Sequence, residues 1–321
     1  MEAISKKRLI EIVTFSEWPR KNLMLLITIS LLLAFLAGCN NAELEEVRQM
    51  EINHVDISAL QDGNYRGDFT YGKYTYAVEV SIRDHKIENW DDYLMRESGL
   101  PGPRGNLELI QAAAEVGSEE QFLHLISFIP EKAPVNSQQE FLACCGTVGL
   151  GKLVTEGKVE YLKLLRSLAS DPRWRTREAV AMALQIYGES HMDELIKQME
   201  EWSEGNSYEK RAAAAALCEP KLLKQKEHVL RVLQILDNIT ESIKSIQDRK
   251  DEGFKALRKG LAYCWSVAIV GSPDEGKKAF EKWLSCSDKD INWIVKENLK
   301  KERLKRMDKE WVEHCLTNYP C

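Results

Sequence analysis

The chain has 321 residues, of which 44% are hydrophobic and 29% charged, and its formal net charge is −6. That length leaves room for two domains, and the composition is that of a globular chain rather than a disordered or collagen-like one. Residues 1–38 carry +2, residues 39–94 carry −7, and residues 95–321 carry −1 from 34 basic and 35 acidic side chains. A near-neutral C-terminal body excludes the strongly basic composition of a general nucleic-acid binder. The eight cysteines are Cys39, Cys144, Cys145, Cys218, Cys264, Cys286, Cys315 and Cys321. They form no C-x-x-C pair and no zinc-ligand spacing. Most fall on apolar helical stripes, where a free thiol behaves as a small hydrophobe.

Arg20-Lys21 precedes Asn22 to Leu36, fifteen residues without a charge and rich in leucine and isoleucine. The run is short for a membrane-spanning helix and suits the apolar core of a secretory signal. It ends Leu36-Ala37-Gly38-Cys39, which resembles the lipobox of bacterial lipoproteins. The resemblance implies that residues 1–38 are a signal peptide and that Cys39 is lipidated as the first mature residue. It also implies a chain anchored by lipid to the exported face of a bacterial cell membrane. Two acyl chains hold a protein there where one would not. An uncleaved signal anchor is the alternative reading. Residues 39–61 are polar and acidic and read as a tether.

From Asp62 the hydrophobic period becomes two. Tyr74, Tyr76, Val78, Val80 and Ile82 alternate with more polar positions, the pattern of a half-buried strand. With turns at Gly72-Lys73 and Asp84-His85, the segment predicts an antiparallel meander of Tyr65–Tyr71, Tyr74–Arg83 and Lys86–Trp90. Asp62-Gly-Asn-Tyr-Arg-Gly67 and Val78 to Ile87 resemble the opening of the FMN-binding domain of flavin-carrying membrane proteins. In that family the flavin is esterified within a later Ser/Thr-Gly-Ala-Thr motif, and nothing of that form occurs here. No covalent cofactor is therefore expected. Tyr71, Tyr74 and Tyr76 remain candidates for stacking on a non-covalent FMN. This partial β segment occupies residues 62–94, and residues 95–105, rich in glycine and proline, read as a linker.

After residue 105 the chain reads as helices. Leu107, Ile110 and Ala114 begin the first, and Phe122, Leu125, Ile126 and Ile129 line the second. Gln138 to Val154 forms a third, followed by the stripe Tyr161, Leu164, Leu165 and Leu168. The segment Ser170-Asp-Pro-Arg-Trp-Arg-Thr-Arg-Glu-Ala179 then predicts a helix capped by Asp171 with Pro172 at its first position. Further helices follow at Met192–Met199, Tyr208–Cys218, Val232–Ile246 and Phe254–Val270. Ser272-Pro-Asp-Glu275 predicts a capping box, and Asp290 is expected to open the next helix. A short helix with Trp311 and Val312 closes the chain.

The Asp171 segment has an echo 34 residues on, where Tyr208, Arg211 and Ala213 answer Trp174, Arg177 and Ala179. A further copy places Trp293 and Lys296-Glu297 where Trp174 and Arg177-Glu178 stand. Recurrence at this period marks stacked helical units that cannot bury a core alone. The small-residue pattern and the Asp-Pro start resemble HEAT-like (armadillo-type) repeats. The expected fold is mainly α, a HEAT-like α–α superhelix over residues 106–321 with a small N-terminal antiparallel β meander. Ala179, Ala181 and Ala183 are expected at a seam of close helix approach.

Arg173, Arg175 and Arg177 crowd one helix start and could grip an anion, or could bond carbonyls and acids of the neighbouring repeat. Trp174, Trp265, Trp283 and Trp293 could form an aromatic platform or serve as packing between repeats. The basic run Lys296, Lys300, Lys301, Arg303, Lys305, Arg306 and Lys309 is interspersed with acids. Six histidines show no H-x-x-x-H or H-E-x-x-H spacing, so no metal site is expected. HEAT-like alkylpurine DNA glycosylases carry similar repeats and use a tryptophan–aspartate cluster. Here Trp90-Asp91-Asp92 is the corresponding pair of residue types, and it lies before the helical body. The expected function is a non-catalytic protein-interaction scaffold, with Trp174, Arg175, Arg177 and Trp293 as its interaction residues. The alternatives are an FMN-binding redox accessory lipoprotein and a nucleic-acid-binding relative of those glycosylases.

Overall fold

A computed structural model describes residues 11–13, 60–61, 63–71, 74–83, 86–87 and 90–318. Cys39, the apolar run 22–36 and residues 39–59 of the tether lie outside the described residues. So do the side chains of Tyr71, Tyr74 and Tyr76. Among the described residues the chain is mainly helical, with 14 α-helices. None of them is long and apolar enough to cross a membrane.

Among the described residues, four strands come ahead of the helices: β1 (Glu11–Val13), β2 (Gly63–Tyr71), β3 (Tyr74–Arg83) and β4 (Lys86–Ile87). The two-residue period sets β2 and β3 antiparallel, with Gly63 opposite Ile82 and Tyr71 opposite Tyr74. β4 is antiparallel to β3, and β1 runs parallel to it. The strand expected to reach Trp90 stops at Ile87, because Trp90 opens a helix, α1 (Trp90–Arg96). Leu94 of α1 is buried among residues of later helices, so helical packing begins ahead of the stretch read as a linker.

That stretch is tightly tied. The Ser98 hydroxyl donates to the Met95 carbonyl at 2.6 Å and accepts the Leu100 amide at 3.0 Å. Gly99 has φ +73°, the left-handed region open to glycine, and an added Cβ would lie 2.9 Å from the Arg104 carbonyl oxygen. Asn106 then caps α2 (Leu107–Val116) by accepting the Leu109 amide at 3.1 Å.

Five of the later helices start where a short polar side chain meets free amides. Ser118 and Gln121 form a reciprocal capping box on α3 (Glu119–Ile126), and Ser137 caps α4 (Gln138–Thr155). After α5 (Tyr161–Leu168), Asp171 departs from expectation. Helix α6 (Trp174–Ser190) starts two residues beyond Pro172, and the Asp171 carboxylate turns to the amide and guanidinium of Arg173. Helix α7 (Met192–Trp202) follows, and Asn206 with Glu209 boxes the start of α8 (Ser207–Leu217). Helix α9 (Lys226–Ser242) ends in a 3-10 turn over Ile243–Ser245, short of Ile246. Asp251 caps α10 (Glu252–Gly271).

The box expected at Ser272 does not form. Pro273 does take the first position of α11 (Pro273–Glu281), but the Ser272 side chain makes no cap bond. Asp288 rather than Asp290 caps α12 (Lys289–Leu299). Asp290 is drawn instead to Arg249 at 3.0 Å and Arg258 at 2.9 Å. Helices α13 (Glu302–Met307) and α14 (Lys309–Asn318) close the chain.

Helices α4, α6, α8, α10 and α12 touch one another in that order, forming one row. Helices α5, α7, α9 and α11 each touch at least one member of that row. The apolar faces meet in a large core that includes Leu165, Leu184, Met199, Leu236, Trp265 and Phe280. A second cluster joins α1, α2, α4 and α6 through Leu94, Ile110, Phe141 and Ala179.

Helix α4 is buried on nearly every side, as its unbroken run of small and apolar residues requires. Its glycines set the spacing: a Cβ on Gly149 would enter the Phe122 ring, and one on Gly151 would lie 2.3 Å from the Ala183 carbonyl oxygen. Of Ala179, Ala181 and Ala183, expected together at a seam, it is Ala183 whose backbone meets Gly151. Cys144 and Cys145 sit inside this helix, and burial pushes the Cys144 thiol up to about 12 and Cys145 well above its ordinary value.

Candidate interaction groove

An open groove of about 540 Å³ runs across α6, α8 and α10. Its α6 wall is built from positions 174, 177, 178, 181, 182 and 185, the three- and four-residue spacing of a single helical face. The α10 wall repeats the device with positions 252, 255, 256, 259, 260 and 263. Arg211 and Ala215 of α8 form the floor between them. Trp174 at one end is 46% exposed and Tyr263 at the other is 44% exposed, large apolar surfaces that the core does not use.

The arginines at the start of α6 divide into different roles. Arg173 is only 2% exposed. Its guanidinium holds Asp171 at 2.7 Å and donates to the carbonyls of Phe128 at 2.7 Å and Ala133 at 3.3 Å. Arg175 donates to the Gly102 carbonyl at 2.7 Å and lies 3.4 Å from the fully buried Glu140 carboxylate of α4. These two side chains bond carbonyls and acids of neighbouring segments. Arg177 reaches the groove, donating to the carbonyls of Asp171 at 2.5 Å and Pro172 at 2.9 Å. Burial holds its guanidinium below the ordinary arginine value. Arg211 donates to the Arg177 carbonyl at 2.9 Å and pairs with Glu178, tying α8 to α6.

Aromatic rings near the starts of α6, α8, α10 and α12 each carry a guanidinium. Arg175 stands 4.4 Å from the Trp174 ring centre, Arg177 4.8 Å from Tyr208, Arg249 5.0 Å from Phe254, and Arg258 3.8 Å from Trp293. At exposed sites such contacts contribute about 0.5–1 kcal/mol each. Trp265 and Trp283 are buried packing residues, whereas Trp174 presents a face to solvent. Trp293 lies apart from the groove, on a separate open shelf with Arg258, Lys289 and Lys296. Of the four predicted interaction residues, the groove brings together Trp174 and Arg177. Arg175 and Trp293 lie outside its lining.

The C-terminal basic run is likewise split. Lys296 joins the Trp293 shelf, while Lys301 and Arg303 stand over the Tyr263 ring at 6.0 and 4.5 Å. Lys305, Arg306 and Lys309 line a separate hollow with Val312 and Leu316. Tyr263, Lys255 and Lys259 are groove residues that motif reading missed. Their four-residue spacing along α10 was the available signal, and it is equally the signal of a solvated face.

The two thiols of the groove are not activated. Cys218 and Cys264 lie in its lining, but both are buried, and burial followed by the adjacent Cys264 thiol holds Cys218 well above the ordinary thiol value. A thiol in that condition is a poor nucleophile. No histidine lines the groove to act as a base. Among the described residues no group of three or more His, Cys, Asp and Glu stands together as a metal cage. No family model matches the chain, no curated protein matches it in sequence, and no solved structure matches it in fold.

Proposed function

We propose that this chain is a bacterial lipoprotein whose helical region, a HEAT-like solenoid, is a non-catalytic scaffold for protein partners. The observation that carries the reading is the groove across α6, α8 and α10, with Trp174 and Tyr263 exposed at its ends. The row α4, α6, α8, α10 and α12, touched by a second set of helices, supports the solenoid, as does the 34-residue recurrence of Trp174 in Tyr208. The lipid anchor rests on Leu36-Ala37-Gly38-Cys39 after its uncharged apolar run. The β segment has no Ser/Thr-Gly-Ala-Thr motif, and the reading assigns it no covalent flavin.

A photo-crosslinking residue placed at Ala256, in the groove, is expected to trap a discrete protein adduct in cells. The same residue at Glu227, exposed on α9, is expected to trap none. Matching adduct patterns from the two sites would count against the scaffold reading. For the anchor, fractionation of cells should place wild type with membranes in a shortened mature form. Cys39→Ala should stay full length and lose its lipid. Identical size and partitioning of the two proteins would remove the lipoprotein part.

A further inference from the structure

The groove has a surplus of one kind of charge, and that surplus selects a partner. Its acids are largely engaged: Glu178 is paired with Arg211, and Glu252 with Lys255 at 2.6 Å. Two of its four cations, Arg211 and Lys255, are the partners of those acids, whereas Arg177 and Lys259 stand in no ion pair among the described residues. Lys259 is exposed, and among the described residues no carboxylate lies within ion-pair distance of it. Arg177 donates to two carbonyls and forms no ion pair, the Asp171 and Glu178 carboxylates acting on it only from farther off. At the Tyr263 end, Lys301 and Arg303 add two more cations, and Arg303 donates to the Tyr263 hydroxyl. Against these stands Glu219, whose bond is to the Lys221 amide at 3.4 Å. A body that is near neutral as a whole is therefore positive along this strip.

Resting on the scaffold reading, we propose that the groove binds an acidic, extended polypeptide segment. Its carboxylates would sit near Arg177, Lys259 and Arg303, and its apolar side chains would sit on Trp174 and Tyr263. Three neighbouring helices spaced about 8–10 Å apart span about 20 Å. An extended chain covers that span in about six residues. A peptide places two or three carboxylates among such cations and turns its remaining side chains away from Glu178, Glu219 and Glu252. A nucleic acid carries a phosphate at every nucleotide and meets those acids as well. The interleaved charges thus favour the peptide.

The test is a selection from a random twelve-residue displayed peptide library, with the full-length chain as bait. Lys259→Glu and Arg303→Glu serve as counter-baits, after circular dichroism has verified their folding. Lys259→Ala replaces Lys259→Glu should the charge reversal unfold the chain. The expected result is enrichment of acidic peptides containing aromatic or aliphatic residues. Their affinity should fall about tenfold on each charge reversal and weaken with added salt. Enriched peptides that are neutral or basic, yet compete at the groove, would overturn the acidic class and leave the scaffold standing. No enrichment sensitive to either variant would overturn both. Tighter binding of a twelve-nucleotide oligothymidylate than of the acidic peptides would overturn the proposal in favour of nucleic acid.

Discussion

Arg173→Ala is expected to lower the unfolding free energy by about 3–5 kcal/mol, because it strands a buried carboxylate. Asp171 and Arg173 are both almost fully enclosed, and the guanidinium also satisfies the Phe128 and Ala133 carbonyls. Removing it leaves one charge and two acceptors in a place water reaches poorly. Arg173→Lys should recover little, since an ammonium cannot hold Asp171 in two places while reaching both carbonyls. The double variant Asp171→Ala/Arg173→Met should lose much less than Arg173→Ala alone, because no unpaired charge remains. Thermal unfolding of the full chain checks this. At about 2–4 °C per kcal/mol, the single variant should melt roughly 6–20 °C below wild type. A shift under two degrees would show that this pair is not closed off from water.

Gly151→Ala tests the spacing of α4 and α6. Alanine is ordinarily better than glycine inside a helix, by about 0.5–1 kcal/mol. Here the added methyl would meet the Ala183 carbonyl oxygen at 2.3 Å and its Cα at 2.6 Å, both backbone atoms that cannot rotate away. The two helices must part, and the net result expected in urea unfolding is a loss of about 1–3 kcal/mol. Gly260→Ala is the companion. Its methyl first meets Arg211 Cγ at 3.2 Å, a side-chain atom with room to give, so stability should stay within about 1 kcal/mol of wild type. Equal effects from the two substitutions would remove Gly151 as the determinant of helix spacing.

The helices and most of their order were legible from apolar spacing, because stripes such as Tyr161, Leu164, Leu165 and Leu168 state a period directly. The turn before α6 was not. Asp171 and Pro172 match a helix start in type, yet the carboxylate has a stronger partner in Arg173, and that partnership depends on carbonyls some forty residues earlier. Asp290 was misread for the same reason: two arginines outbid the helix amides for it. Local rules assign a capping residue to the nearest amides, whereas a guanidinium brought in by folding is a better partner. The groove was half legible. Trp174 and Arg177 stood out through the 34-residue recurrence, but the α10 wall has no counterpart in it. Lys255, Lys259 and Tyr263 become a site only because α10 lies beside α8.

Helix α4 has a consequence for the order in which the chain becomes stable as it leaves the ribosome. With Gly146, Gly149 and Gly151 in its interior, its intrinsic helicity is poor, and its apolar surface points in every direction. Helices α1, α2 and α3 cover part of that surface, but Ala179 of the same cluster and Ala183 belong to α6. The first half of the helical region therefore has no closed core until the chain has been made through Ser190. Until then a nascent fragment ending in the 156–173 stretch displays the side of α4 that α6 will cover. That window of synthesis is where a holding chaperone would find this protein, and where truncated translation products would aggregate.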